Sequence, residues 1–285
     1  MSRLSVAVAS VVAAALVTAA APAHAQGRGN GHQSHPPSSS ALPSPTGAAP
    51  VTEGAAPFAW IDDASVLPPG MMVVSVSTTR WQGTDLSEVE APIVGVAAGV
   101  APRLQISASI PHVVADDVNG VAGGIDTTYL SAKFGVLTRK TSNVKLAVAP
   151  TLEILGAGAL ESLAPGTSRT QFGLPVSLEV GGSSLRMFAS AGFFSQGVWY
   201  AGGGVGGTLT RRMAASVAFS RAWTTNPIGS AVGDRRDVSG TLAFSVRPQI
   251  SVFGSVGTTV ATADQDGAGT TVTGGVVFLL WPGRP

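Results

Sequence analysis

The sequence has 285 residues, with 17 Lys and Arg against 16 Asp and Glu, 36 Gly and no Cys, and is 45% hydrophobic but only 12% charged. The near-neutral balance leaves no basic footprint for nucleic acid, and the missing cysteines exclude a lipoprotein anchor, a disulfide framework and a thiolate metal site. Beyond the leader, no apolar stretch approaches the length of a membrane helix.

At the N-terminus, Arg3 precedes an apolar run from Leu4 to Ala20, and the segment closes on Ala23-His24-Ala25, with cleavage expected before Gln26. Residues 1–25 therefore read as a signal peptide. Residues 26–57 are rich in Gly, Ser, Pro and Ala and lack large apolar side chains, so they cannot repay the entropy of ordering and read as a disordered linker. His24, His32 and His35 lie in or beside it and are read as solvated. Residues 58–285 form the remaining domain.

That domain alternates apolar with small or polar residues in about twelve segments of the length a tilted membrane strand needs. The expected strands are Gly70 to Trp81, Ile93 to Ala101, Arg103 to Pro111, Ile125 to Leu137, Asn143 to Leu155 and Arg169 to Val180. They continue with Ser184 to Phe194, Val198 to Leu209, Arg212 to Trp223, Asp237 to Val246, Gln249 to Ala261 and Thr270 to Trp281. In the third, Leu104, Ile106, Ala108 and Ile110 would face lipid while Gln105, Ser107 and Ser109 face inward; in the sixth, Phe172, Leu174, Val176, Leu178 and Val180 point outward. The reading is an all-β fold: one closed antiparallel transmembrane barrel of the outer-membrane type, which leaves no backbone group unpaired in hydrocarbon.

Connections alternate between long and short, which places the short turns and both termini in the periplasm. The presumed outer loops hold Asp85, Glu88, Glu90, Asp116, Asp117, Asp126, Glu161, Asp234, Asp237, Asp264 and Asp266 against Arg235 and Arg236. Arg103, Arg139, Lys140, Lys145, Arg186, Arg211, Arg212 and Arg247 gather at the other end. The loop acids read as hydrated charge, with binding of divalent cations, or of lipopolysaccharide through them, as the alternative. Trp81, Phe172, Phe193, Phe194, Trp199 and Trp223 near the outer strand ends, with Trp281 at the inner rim, read as an interfacial aromatic girdle. Arg221 has outward phase, to be explained by snorkelling or a bulge.

The lumen is expected to carry Lys133, Lys145, Glu179 and Arg186 as one cluster toward the periplasmic half, with Glu153, Gln171 and Tyr129 lining the same side nearer the outside. The cluster is either an ion-pair network within the wall or a positive surplus favouring anionic solutes. Two enzyme patterns fall short. Gly202, Gly204 and Gly207 match the spacing of a dinucleotide fingerprint, but no helix pattern follows them, and they more simply give an aromatic ring room against the backbone. His112, with Ser109 and Asp117 or Asn119 nearby, would be needed for a barrel phospholipase, yet no nucleophile motif surrounds Ser109. No enzyme activity, cofactor or metal is expected.

The stretch VAPRLQISASIPHV (Val100 to Val113) followed by GIDTTYLSAKFGVL (Gly124 to Leu137) resembles the family of outer-membrane β-barrel proteins associated with the MetA pathway of phenol degradation. Pro111, Asp126 and Lys133 stand where that family has a strand-ending proline, a loop aspartate and an inward lysine, and DDASVLPPGMMVVSVS is similar to its approach to the first strand. Ile125 replaces the family's usual glycine, and PGRP follows Trp281. The resemblance implies an outer-membrane channel or transporter for passive passage of small solutes, aromatic or hydrophobic ones among them. The other reading is a closed structural or adhesive barrel. The expected partners are outer-membrane lipid and lipopolysaccharide, the barrel-assembly machinery and small solutes, with no nucleic acid.

Overall fold

The computed structural model describes residues 63–83, 87–115, 123–137, 143–156, 168–182, 184–195, 197–224, 234–262 and 268–280. The expected signal peptide and linker lie outside them, as does Trp281.

Fifteen extended segments make twelve strands, because three strands are each broken in two. They are β1 (Met72–Gln82), β2 (Ser87–Ala101), β3 (Leu104–Val113), β4 (Gly124–Ile125 with Thr128–Leu137), β5 (Val144–Val148 with Thr151–Ile154) and β6 (Thr170–Gly173 with Val176–Gly181). The rest are β7 (Leu185–Phe194), β8 (Val198–Thr210), β9 (Met213–Thr224), β10 (Asp234–Arg247), β11 (Ile250–Thr262) and β12 (Thr270–Leu280). Each pairs antiparallel with its neighbours in sequence, and β1 closes the ring on β12 in unbroken register from Met72↔Leu280 to Gln82↔Thr270. Closure removes the sheet edges that hydrocarbon would not tolerate.

Alternation decides what faces out. Ile106, Phe134, Val136, Phe172, Leu178, Leu242, Val256 and Val272 are among the large apolar side chains turned to the exterior, while Ser75, Ser77, Gln105, Ser177, Ser190, Thr241 and Ser251 are buried inside. Apolar-out and polar-in is the pattern of a barrel wall in lipid. The glycine run of β8 is occupied by a ring from β7: a Cβ on Gly204 would stand 2.7 Å from Phe188, which is itself buried. That is the room for an aromatic side chain that the sequence implied, though Phe188 fills it.

The breaks in β5 and β6 fall at Ala149-Pro150 and Leu174-Pro175. Each proline still accepts a rung through its carbonyl, from Ala132 N at 3.0 Å and from Ala149 N at 2.9 Å, but cannot return one. At Ala149 the lost donor is replaced by the Thr151 hydroxyl, which donates to the Ala149 carbonyl at 2.8 Å.

The wall begins at Met72. Residues 63–71, expected to be part of the barrel domain, are inside it: Ala64 and Leu67 are fully buried, and Gly70 N donates to Gly99 O at 2.8 Å as the chain turns inward at the base of β1. Val256 lies mid-strand on the exterior at 56% exposure. Replacing it with arginine should cost about 2–4 kcal/mol of barrel stability, read as a lower urea midpoint in lipid vesicles; an unchanged midpoint would mean that this face does not meet hydrocarbon.

Candidate functional site

Residues 63–71 form a strap across the bore at the end where the connections are short. Its base lies on β1 and β2: Met71 N donates to Pro68 O at 3.1 Å, and Gly99 N to Met71 O at 2.9 Å. Gly99 is required there because any Cβ would collide with the carbonyl oxygens of Leu67 and Pro68. Leu67 and Met71 then join Val73, Ala97, Ala243, Phe253 and Val277 in one apolar cluster, with Leu279 beside it. The Leu67 amide, deep in the lumen, donates to the Gln105 side-chain oxygen at 3.0 Å.

The far end of the strap is polar and meets the charges of β4 to β7. Arg186 Nη1 donates to Asp63 Oδ2 at 2.7 Å and stands 3.7 Å from Glu179 Oε2. Lys145 Nζ pairs with Glu179 Oε1 at 2.8 Å and donates to Ser65 Oγ at 3.0 Å. Ser65 Oγ in turn donates to Glu179 Oε2 at 2.8 Å. Lys133 Nζ donates to the Asp63 carbonyl at 3.1 Å and lies 3.9 Å from its carboxylate. Burial by itself would raise the Asp63 carboxyl; Arg186 and then Lys133 outweigh it and hold the group below the ordinary carboxylate range.

The expected lumenal cluster is therefore one ion-pair network, its cations turned to the strap and to Glu179. Lys133, Lys145 and Arg186 face Asp63 and Glu179 in these pairs, and the strap's carbonyls accept from Lys133. Asp63 and Ser65 complete it, and strand phase could not have announced them because they lie on no strand.

Beyond the strap the lumen is lined by different chemistry. Tyr129, Glu153, Phe194 and Tyr200 are buried there, and Gln171 is half-buried opposite Glu153. Phe194 and Tyr200 stand with ring centroids 5.9 Å apart, and the Tyr200 hydroxyl lies 3.2 Å from Ser190 Oγ. Arg235, half of a pair expected in a loop, points inward from β10 and meets Asp237 at 3.0 Å; Asp237 accepts from Thr259 Oγ1 at 2.7 Å.

The aromatic girdle needs two corrections. Trp81 is 7% exposed and inward, because β1 keeps its phase through Val73, Ser75, Ser77 and Thr79 without a break against β12. Its ring occupies the space beside Gly83 and Gly269. Phe194 is also inward, and its ring lies across Gly173. Phe172 and Trp199 are exposed on the exterior; Phe193 packs at 4.9 Å on Trp199, and Trp223 pairs with Trp199 across the ladder. Arg221 does point outward: it pairs with Asp234 at 2.7 Å and lies 5.2 Å over the Trp223 ring. The phospholipase arrangement does not assemble, since Ser109 is buried in the lumen while His112, three residues on, faces the exterior. Asp117 and Asn119 lie outside the described residues.

Three solved structures share this architecture. The COG4313 outer membrane channel from Pseudomonas putida F1 superposes with a TM-score of 0.59 at 12% identity, covering 76% of this chain and 98% of that one. The NanC porin gives 0.55 at 10% identity over 72% and 98% of the two chains. The KdgM porin in complex with disordered oligogalacturonate gives 0.53 at 10% identity over the same shares, 72% and 98%. No family profile and no curated protein matches the sequence. The likeness shows the fold, a porin-type outer-membrane barrel.

Replacing Arg186 with methionine removes one partner from Asp63 and Glu179 while both stay buried, a loss of about 3–5 kcal/mol. The chain has no native cysteine, so Ala64→Cys reports strap position by alkylation. The expected result is slow labelling in the parent and labelling at least a hundredfold faster with Arg186→Met added; equal rates would show that apolar packing alone holds the strap.

Proposed function

We propose that this protein is an outer-membrane channel for passive passage of small solutes, with the short-turn end and both termini in the periplasm, closed in the present state by its own strap. The observation that carries the reading is the strap. About eight strands can be filled by side chains from the wall and sixteen or more leave a channel; twelve falls between, where an added filling decides how open the bore is. Here the filling is nine residues of backbone, fastened at its far end by ion pairs and hydrogen bonds and at its base by apolar contacts. Polar fastenings of this kind exchange with water at modest net cost, which suits a removable closure better than a permanent core.

The lining above the strap suggests the solutes. Tyr129, Phe194, Tyr200 and Trp81 present rings, and Glu90 and Glu153 are buried carboxylates, with Arg235 the basic group buried there. Small apolar, aromatic or cationic molecules fit this lining better than anions, the reverse of what the lysines alone suggest. A polyanion such as the oligogalacturonate named for the KdgM porin does not suit this lining.

Planar-bilayer recording of the refolded mature protein tests the reading. The parent should show rare, small steps with a cation preference; Arg186→Met should raise the open fraction at least tenfold. Acid should act the same way: because the folded Asp63 pKa is depressed, its pairs are intact at neutral pH and are lost as pH falls through and below the ordinary carboxylate range. If Arg186→Met frees Ala64→Cys for labelling yet the bilayer stays silent at both pH values, the closed structural barrel is the correct reading instead.

A further inference from the structure

The end of β2 nearest the long connections breaks the alternation of its own strand. Ile93, Gly95 and Ala97 point inward, so simple alternation would send Glu90 and Glu88 to lipid beside Val94. The register shifts between Ser77 and Thr79 on the β1 side and between Glu90 and Ile93 on the β3 side mark a bulge that reverses the phase. Glu90, 6% exposed, then lies opposite inward Thr79, and Glu88 opposite inward Trp81. Both carboxylates, read from the sequence as hydrated loop charge, are turned into the lumen.

Asp126 meets them from the break in β4. Its backbone is fixed, Asp126 N donating to Pro111 O at 3.1 Å and Gly156 N to Asp126 O at 3.2 Å. Carboxylate oxygens of Glu88, Glu90 and Asp126 all lie within 4.8 Å of one another. Two oxygens on opposite sides of a calcium ion are separated by about 5 Å, twice a metal–oxygen distance of about 2.3–2.6 Å.

We propose that Glu88, Glu90 and Asp126 form a divalent-cation site, for a calcium-like ion, in the lumen at the long-connection end. Three further observations point to a missing ligand. Glu90 Oε2 and the Tyr129 hydroxyl are both buried without a hydrogen-bond partner, and Thr127 lies near that hydroxyl without completing a bond. Tyr129, 6% exposed, is close enough to feel the charges of Glu153, Asp126 and Glu90. Ser109, its cross-strand neighbour, also buries an unpartnered hydroxyl. Such atoms are costly to leave unsatisfied, and no described lysine or arginine is in ion-pair contact with Glu90 or Asp126.

The donors are carboxylate and hydroxyl oxygens without sulfur or imidazole, which selects a hard cation over zinc or copper. Carboxylates must be ionised to bind a cation, so metal and proton compete for these oxygens. A bound ion would tie the end of β2 to the break in β4 and neutralise that part of the lumen.

The test is terbium luminescence on the refolded full chain in detergent, excited through Tyr129 and Trp81 and displaced by calcium. Calcium should compete with a dissociation constant of about 10⁻⁵–10⁻³ M. Glu90→Gln and Asp126→Asn, isosteric and uncharged so that folding does not depend on the ion, should each weaken it at least tenfold, with barrel closure verified by heat-modifiable mobility. Asp234→Asn, an acid paired outside the lumen, should leave it unchanged. An unchanged signal in both Glu90→Gln and Asp126→Asn would assign the metal to other acids and overturn the proposal. So would the absence of sensitised signal in the parent up to about 10 mM calcium-equivalent, tenfold past the weak end of that range.

Discussion

The width of a twelve-strand bore is the constraint on which the rest of the molecule depends. Rings of about eight strands fill with side chains and rings of sixteen or more leave a channel; across this one nine residues of its own chain fold inward. The strap needs a polar far end because no wall strand supplies a backbone ladder there, so the orphaned amides and carbonyls of residues 63–67 must find side chains. Gln105 accepts from the Leu67 amide and Lys133 donates to the Asp63 and Ser65 carbonyls, while Lys145 and Arg186 meet the strap's own side chains, Ser65 Oγ and the Asp63 carboxylate. Their charge is thus a consequence of closing the bore, and the acids Asp63 and Glu179 follow from the need to keep buried cations paired.

Burial inside the barrel and exposure outside it invert the usual meaning of a polar residue. Serines and threonines line the interior wall while leucine, valine and phenylalanine cover the exterior, because hydrocarbon replaces water as the outer solvent. The same inversion explains the proline breaks. Pro150 and Pro175 each remove a rung donor where water cannot replace it; at Pro175 the Thr151 hydroxyl takes the vacant role for Ala149. That threonine is polar for the wall's sake, not for a solute.

Much of this was legible in the sequence wherever strict alternation holds. The strand count, the outward faces of β3 and β6, and the shared level of Lys133, Lys145, Glu179 and Arg186 all follow from a two-residue period and adjacent strands. Two features escaped that logic for different physical reasons. The strap has no periodicity, and its decisive partners lie 114 residues away for Ser65 and 123 for Asp63, so no local pattern could bring them together. The bulge at the end of β2 inserts a residue that reverses the phase, which is why Glu88 and Glu90 read as loop acids and are found inside. Trp81 is the contrasting case. Its inward phase is readable from Val73 onward, and phase is a better guide to it than its place near a strand end. Phe194 follows from the same rule, being one residue out of step with outward Phe193.

The two ends of the lumen solve one electrostatic problem in opposite ways. At the short-turn end the wall contributes three cations, and Asp63 from the strap and Glu179 from the wall pair with them. At the other end a bulge and a strand break deliver carboxylates into a low-dielectric space, and the described wall offers Glu90 and Asp126 no cation in return. At the opposite end no described lysine or arginine pairs with Glu90 or Asp126, so the field there is open to protons and ions from the surrounding solution, while the strap end is set by pairs within the chain.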